Sequence, residues 1–204
     1  MSDSKESRDP DSHRHFLWRR SKAWWLVGIP LGGILMLFVG SAVWASFEAV
    51  LHYTNSLEFC TSCHEMKDNM LAEYKESVHY KNASGVRAIC SDCHVPKVFL
   101  PKMKAKIAAT MNELPKWLLG TVGTKEKFTA VRLELAKDVW AKMKATDSRE
   151  CRNCHSFASM DTALQDKSAR KKHTLEHQKA TGETCIDCHK GVGHHLPKDY
   201  AEAE

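Results

Sequence analysis

The chain has 204 residues, 43% of them hydrophobic, and its 30 Lys and Arg against 25 Asp and Glu leave a formal net charge of +5. That length suits one domain, or one and a half. The positive excess is too small to grip a phosphate backbone, so no nucleic-acid partner is expected.

Residues 1–22 are polar, charged and without apolar periodicity, and read as a short disordered tail. Residues 23–47, from Ala23 to Phe47, carry no charged side chain. A bilayer core takes about 20 apolar residues in a helix. Trp24, Trp25 and Trp44 sit near the two ends, where interfacial aromatics belong. The apolar part of a cleaved signal peptide is only about 7–15 residues long and ends in a small-x-small site. This run is longer and has no clear site, so it reads as a single uncleaved transmembrane helix. Arg14, Arg19, Arg20 and Lys22 crowd its N-terminal flank, which keeps the N-terminus in the cytoplasm and exports everything after Phe47.

The exported part, residues 48–204, contains Cys-x-x-Cys-His four times: Cys60–His64, Cys90–His94, Cys151–His155 and Cys185–His189. The four motifs use all eight cysteines: Cys60, Cys63, Cys90, Cys93, Cys151, Cys154, Cys185 and Cys188. Each motif is the attachment signature of a c-type haem, with the following histidine as axial iron ligand. Zinc sites do not need a histidine directly after every second cysteine. A thioredoxin-type pair would occur once, beside a βαβ pattern. Four covalently bound haem c groups are therefore expected. They must supply much of the core of so short a chain, and the small positive excess of this part suits offsetting their propionates.

The motif spacing is short, long, short, which divides the domain into two dihaem repeats, about residues 48–110 and 145–200. The flanks agree, since Asn55-Ser-Leu-Glu-Phe-Cys60 parallels Asp147-Ser-Arg-Glu-Cys151. His79 lies eleven positions before Cys90, and His173 twelve before Cys185. These matched positions make both histidines candidate sixth ligands. Between the repeats, Phe128, Val131, Leu135, Val139 and Met143 recur at three or four residues, an amphipathic helix of about four turns. Pro115 and Gly120 to Gly123 read as the turn before it. No strand pattern stands out, so the fold is expected to be mainly α, a compact multihaem domain behind one N-terminal helix.

The chain resembles the NapC/NirT/NrfH tetrahaem cytochromes, closest to the NapC and NirT branches. The stretches that carry the likeness are Cys60-Thr-Ser-Cys-His-Glu-Met66, Ser77-Val-His-Tyr80, Ser84 to Ala88, Asp92 to Lys97, Arg149 to Phe157, and Thr184 to Gly191 through His194 to Leu196-Pro197. The resemblance implies a single-pass protein of the bacterial inner membrane, with its haem domain in the periplasm. It implies quinol dehydrogenase activity: electrons taken from the membrane quinol pool, menaquinol or ubiquinol, and given to a periplasmic reductase or its small cytochrome subunit. Nitrate or nitrite reductase is the expected acceptor. The alternatives are a passive anchored wire, an N- or S-oxide reductase as acceptor, or a terminal nitrite-type reductase with an open iron. The single anchor permits a homodimer without requiring one.

The resemblance also assigns residues. It makes Met66 the axial ligand of the first haem in place of His64, whereas the motif by itself favours His64. Met ligation raises a haem potential relative to two histidines, which suits an acceptor of quinol electrons. His94, His155 and His189 remain proximal ligands. His79, His173 and His194 become distal ligands, and His195 beside the last departs from the family pattern. His177 reads as a surface residue, and His13, His15 and His52 as membrane-flanking. For quinol binding the resemblance points to Asp92 as proton acceptor, with Arg87 and Lys97 as candidate basic partners. Asp187 occupies the slot of Asp92 in the second repeat.

Overall fold

The computed structural model describes residue 22 and residues 24–200; the expected tail, including Arg14, Arg19 and Arg20, lies outside the described residues apart from Lys22. The chain divides into two compact units, Met1–His52 and Tyr53–Glu204. It is mainly helical, with no strand among the described residues.

In the first unit a π-helical turn, Trp24–Gly28, leads into helix α1, Ile29–Tyr53. Pro30 stands second in α1, directly after the π-helical turn; inside a continuous helical run its missing N–H removes one backbone bond, which such a local π adjustment accommodates. The helix is apolar all round, with exposed Leu37, Phe38, Val43 and Trp44, as a lipid-facing helix must be. Its mean hydropathy reaches 1.9 and its 25 residues exceed the bilayer requirement. It continues past Phe47 to Tyr53, because no glycine, proline or capping residue stops it there. Ser46 satisfies its hydroxyl inside the helix by donating to the Ala42 carbonyl at 2.8 Å.

In the second unit the helices follow in order: α2 (Leu57–Cys60), α3 (Ala72–Tyr74), α4 (Cys90–His94), α5 (Phe99–Leu118), α6 (Lys125–Ala145), α7 (Arg149–Arg152), α8 (Lys167–Lys172), α9 (Leu175–Thr181) and α10 (Cys185–Cys188). Only α5 and α6 are long. The expected amphipathic helix is α6, capped by the Thr124 hydroxyl on the Lys127 N–H and closed by Lys142 and Lys144, which suit the negative end of its dipole. Pro115 does not lie in the preceding turn. It sits in the last turns of α5, and the turn is made by Gly120, whose φ of +61° favours glycine.

Few apolar side chains are buried: in this unit Tyr74, Phe128 and Ile186 among the described residues. A domain of about 150 residues ordinarily buries about 68–70% of its unfolded surface, so side chains alone build an unusually slight core. Polar tethers hold α6 to the rest. Arg132 grips Glu73 of α3 with two bonds of 2.6 Å. Lys144 pairs with Asp187 of α10 at 2.7 Å, and Trp140 packs edge-on against Tyr200.

Candidate haem-binding site

Short helices present the motifs. Cys90 and Cys185 open α4 and α10, and one helical turn puts each on the same side as its partner cysteine. The third residue of each helix caps its own start: Asp92 Oδ2 accepts the Ile89 N–H at 2.9 Å, and Asp187 Oδ2 the Thr184 N–H at 2.8 Å. Cys60 ends α2, which Ser56 caps through the Phe59 N–H at 3.1 Å. Cys151 lies in α7, after Ser148, which is fully buried with φ of +47°. That strained position is held because the Ser148 hydroxyl accepts the Ile186 N–H at 3.1 Å. In each motif the first cysteine is half-buried, while the second cysteine and the histidine are exposed.

The motifs meet in chain order. Helix α2 packs on α4, and α4 on α7. Cys60 and Cys90 share a hydrogen bond that lowers the pKa of Cys60 and raises that of Cys90. Burial, then nearby Cys151, pushes the Cys93 thiol up to about 11. Burial and the proximity of Cys185 raise Cys151. Motif one thus adjoins two, two adjoins three, and three adjoins four.

Three motif histidines each face a histidine from elsewhere in the chain. Ring centroids are 6.3 Å apart for His94 and His194, 6.1 Å for His155 and His79, and 5.7 Å for His189 and His173. Two imidazoles on opposite sides of one metal ion, each about 2 Å from it by the zinc value and about 1 Å more to the ring centre, stand about 6 Å apart. The rings therefore fit two axial ligands of one iron. Their other nitrogens agree: His79 Nδ1 lies 3.4 Å from the Val192 carbonyl and His173 Nδ1 2.8 Å from Gln165 Oε1, leaving Nε2 of each for a metal. His194 Nδ1 is buried with no close hydrogen-bond partner, though the Met70 backbone acts on the ring. His94 is exposed by accessible area, yet the surrounding chain crowds it enough that burial, then His194, pushes its pKa down to about 4. The sequence offered no way to pair these histidines, and it missed Gln165 and the Val192 carbonyl.

The adjacent His195 turns away. Its imidazole lies 3.2 Å from Glu76, its N–H donates to Glu73, and its carbonyl accepts from Arg132 at 2.6 Å. Burial works to raise the Glu73 carboxyl, but bonds from Arg132 and the His195 N–H outweigh it and hold the pKa below its usual range. Tyr74 adds a second brace, donating to the carbonyls of His79 and Ala88. His194→Met should keep four attached haems but change one low-spin signal in electron paramagnetic resonance, while His195→Met should leave every signal in place. The reverse result would exchange the two roles.

Motif one is different. His64 is exposed and lies 3.2 Å from Glu65, and among the described residues no second imidazole faces it. Met66 opens a π-helical turn, Met66–Leu71, one residue beyond buried Glu65. His177, half-buried, bonds Glu183 at 2.9 Å.

Of the quinol candidates, Asp92 and Lys97 come together. Asp92 Oδ1 is 4.0 Å from Lys97 Nζ, and both line a cleft of about 130 Å³ with Asn55, Ser91 and Lys102. Arg87 is not in its lining; it lies 4.0 Å over the Tyr80 ring and donates to the Tyr80 carbonyl. Two charges of α5 not expected at the site, Lys106 and Glu113, act on Cys60, and Lys106 also bonds Thr54 at 2.8 Å.

The family model described as the NapC/NirT cytochrome c family, N-terminal region, matches residues 20–199. This chain belongs to the NapC/NirT cytochrome c family. It is 50% identical over 176 residues to the denitrification system component NirT of Stutzerimonas stutzeri, covering 85% of this chain and 86% of that one. It is 51% identical over 170 residues to a putative tetraheme cytochrome-c type protein of Allochromatium vinosum (82% and 90%). It is 46% identical over 192 residues to the cytochrome c-type protein NapC of Escherichia coli K12, covering 92% of each. No solved structure matches. Family membership makes the chain a membrane-anchored c-type cytochrome of electron transport, with α1 as the anchor and covalent haem as its cofactor. The motif cysteines and histidines described above have the chemistry to hold that group, and the paired rings have the spacing.

Proposed function

We propose that this family member oxidises quinol in the cytoplasmic membrane and passes the electrons to a periplasmic reductase of nitrate or nitrite. The observation that carries this reading is the serial arrangement of the four motifs. It begins at Cys60, shortly after α1 ends at Tyr53, and each motif adjoins the next in chain order. Bound haem supplies one-electron redox chemistry. The residues hold and tune it: eight cysteines for attachment, the pairs His94 with His194, His155 with His79 and His189 with His173 as ligands, and Met66 or His64 at the first motif. With both histidines of each pair engaged, motifs two to four would offer no free position to a substrate, which favours electron transfer over a terminal reductase.

Quinol oxidation also releases two protons. Asp92 is the proposed acceptor and Lys97 its partner in the cleft, with Arg87 as a further basic group on Tyr80. The likeness to a denitrification component supports a nitrogen-oxide reductase as acceptor. The basic flank before α1 supports a cytoplasmic N-terminus and a periplasmic haem domain.

The test uses the full-length purified protein in lipid nanodiscs. Menaquinol and ubiquinol analogues, added separately, should reduce its haems, as read by absorbance, and dithionite should reduce all of them. Reduction by dithionite but by neither quinol would leave only a passive wire. Turnover of nitrite without a partner would establish a terminal reductase instead. A reporter fused after Glu204 should be active only as a periplasmic reporter; cytoplasmic activity would invert the topology.

A further inference from the structure

Helix α5 is turned inside out. Leu100, Met103, Ile107, Met111, Leu114 and Leu118 recur at three or four residues and form one stripe along its length. In a soluble domain that stripe would face the core. Here Leu100, Ile107, Met111 and Leu118 are 64–70% exposed, and Leu114 is 47% exposed. The half-buried positions are Pro101 and Met103 near the start of the helix, and Lys102, Ala105, Lys106 and Ala109 on the side opposite the stripe, so Met103 is the one stripe residue partly covered. Lys106 and Glu113, on that inner side, act on Cys60, so the nearest attachment motif also lies behind the helix and not over the stripe.

What covers the stripe follows from where the helix is tied. Lys106 Nζ donates to the hydroxyl of Thr54 at 2.8 Å and to its carbonyl at 3.3 Å. Thr54 directly follows α1, whose last residue is Tyr53, so α5 is fastened to the chain where it leaves the membrane span. Trp117 stands 51% exposed at the edge of the stripe, as interfacial aromatics do. Lys104 borders it, and its long stem can lie along apolar surface while the ammonium reaches anionic headgroups.

We propose that α5 is a second membrane contact: an interfacial helix that lies in the headgroup–acyl boundary of the bilayer that α1 crosses, its apolar stripe in lipid and its lysines among anionic headgroups. The chain would then be held at two points, and α5 would fix the height of the first motif above the membrane.

The full chain with its haems, in phosphatidylethanolamine–phosphatidylglycerol nanodiscs, provides the test. The photoreactive residue p-benzoylphenylalanine replaces Leu100, Ile107, Met111 or Leu118 one at a time, and Asn112 or Lys116 off the stripe. Each variant is first checked for an unchanged haem-to-protein absorbance ratio. After irradiation, mass spectrometry should find lipid adducts at the stripe positions in several-fold higher yield than at Asn112 and Lys116. Chain-to-chain adducts on the stripe would make it a contact between copies and overturn the proposal. So would adducts within the chain, or equal yields at all positions. The unmodified protein gives a second reading. Met111, 70% exposed, should be oxidised by hydroxyl radicals several-fold more slowly in nanodiscs than half-buried Met160; equal or faster oxidation counts against the proposal.

Discussion

Asp92→Asn should slow quinol-driven haem reduction by about 10²–10⁴-fold, the usual contribution of a positioned general base, while leaving four attached haems and full reduction by dithionite. The substitution nearly preserves volume. It also keeps an oxygen that can accept the Ile89 N–H, so the start of α4 should survive. Asp187→Asn is the internal control. Asp187 caps α10 in the same way, but Lys144 holds its second oxygen at 2.7 Å, whereas the second oxygen of Asp92 is 4.0 Å from Lys97 and faces the cleft. Asp92 thus keeps a carboxylate oxygen available to a ligand where Asp187 does not. Stopped-flow absorbance with a quinol analogue separates the outcomes. Normal rates in both variants would make Asp92 only a helix cap. Equal loss in both would place the defect in capping or haem insertion and remove the cleft from the quinol site.

Replacing Cys151 and Cys154 together with serine should lower the pyridine haemochrome ratio from four haems per chain to three and abolish electron delivery to a reductase. Motif three is the third of the four in the series. Its helix α7 packs on α4, and Ser148 just before it bonds the backbone of motif four at Ile186. The variant keeps Ser148, Glu150 and the contacts of α6, so circular dichroism should still report a helical domain. Quinol should still reduce the haems of the first two motifs. An unchanged ratio of four would refute attachment at these cysteines. A three-haem variant that delivers electrons at the full rate would refute the serial path.

The histidines show where sequence reading stops. A Cys-x-x-Cys-His motif is local: two thiols one helical turn apart and the next histidine carry the attachment chemistry whatever surrounds them. The same holds for α1, since an uncharged apolar run is a matter of solvent preference, and for α6, whose heptad-like spacing declares a helix. These features, and with them the cofactor and the membrane anchor, were legible in the residues alone. The matched spacing of His79 and His173 marked them as candidates, and the family likeness added His194, but none of this paired them.

Pairing is a long-range property. His94 meets His194, and His155 meets His79, because α3, α6 and the C-terminal segment are drawn together by Arg132, Glu73 and Tyr74. The same clamp decides between two adjacent histidines that composition treats alike, since using the His195 backbone to grip Glu73 and Arg132 leaves His194 to face His94. Likewise Asp92 and Asp187 hold the same position within Cys-x-Asp-Cys-His, and only the placement of Lys144 and Lys97 distinguishes them. Helix α5 is the clearest case. Its period of three and four shows which residues share a face, but whether that face looks inward or outward depends on what the opposite face binds, here Thr54 and the surroundings of Cys60. Periodicity is a property of the chain; the direction a face takes is settled only by the contacts that folding brings to it.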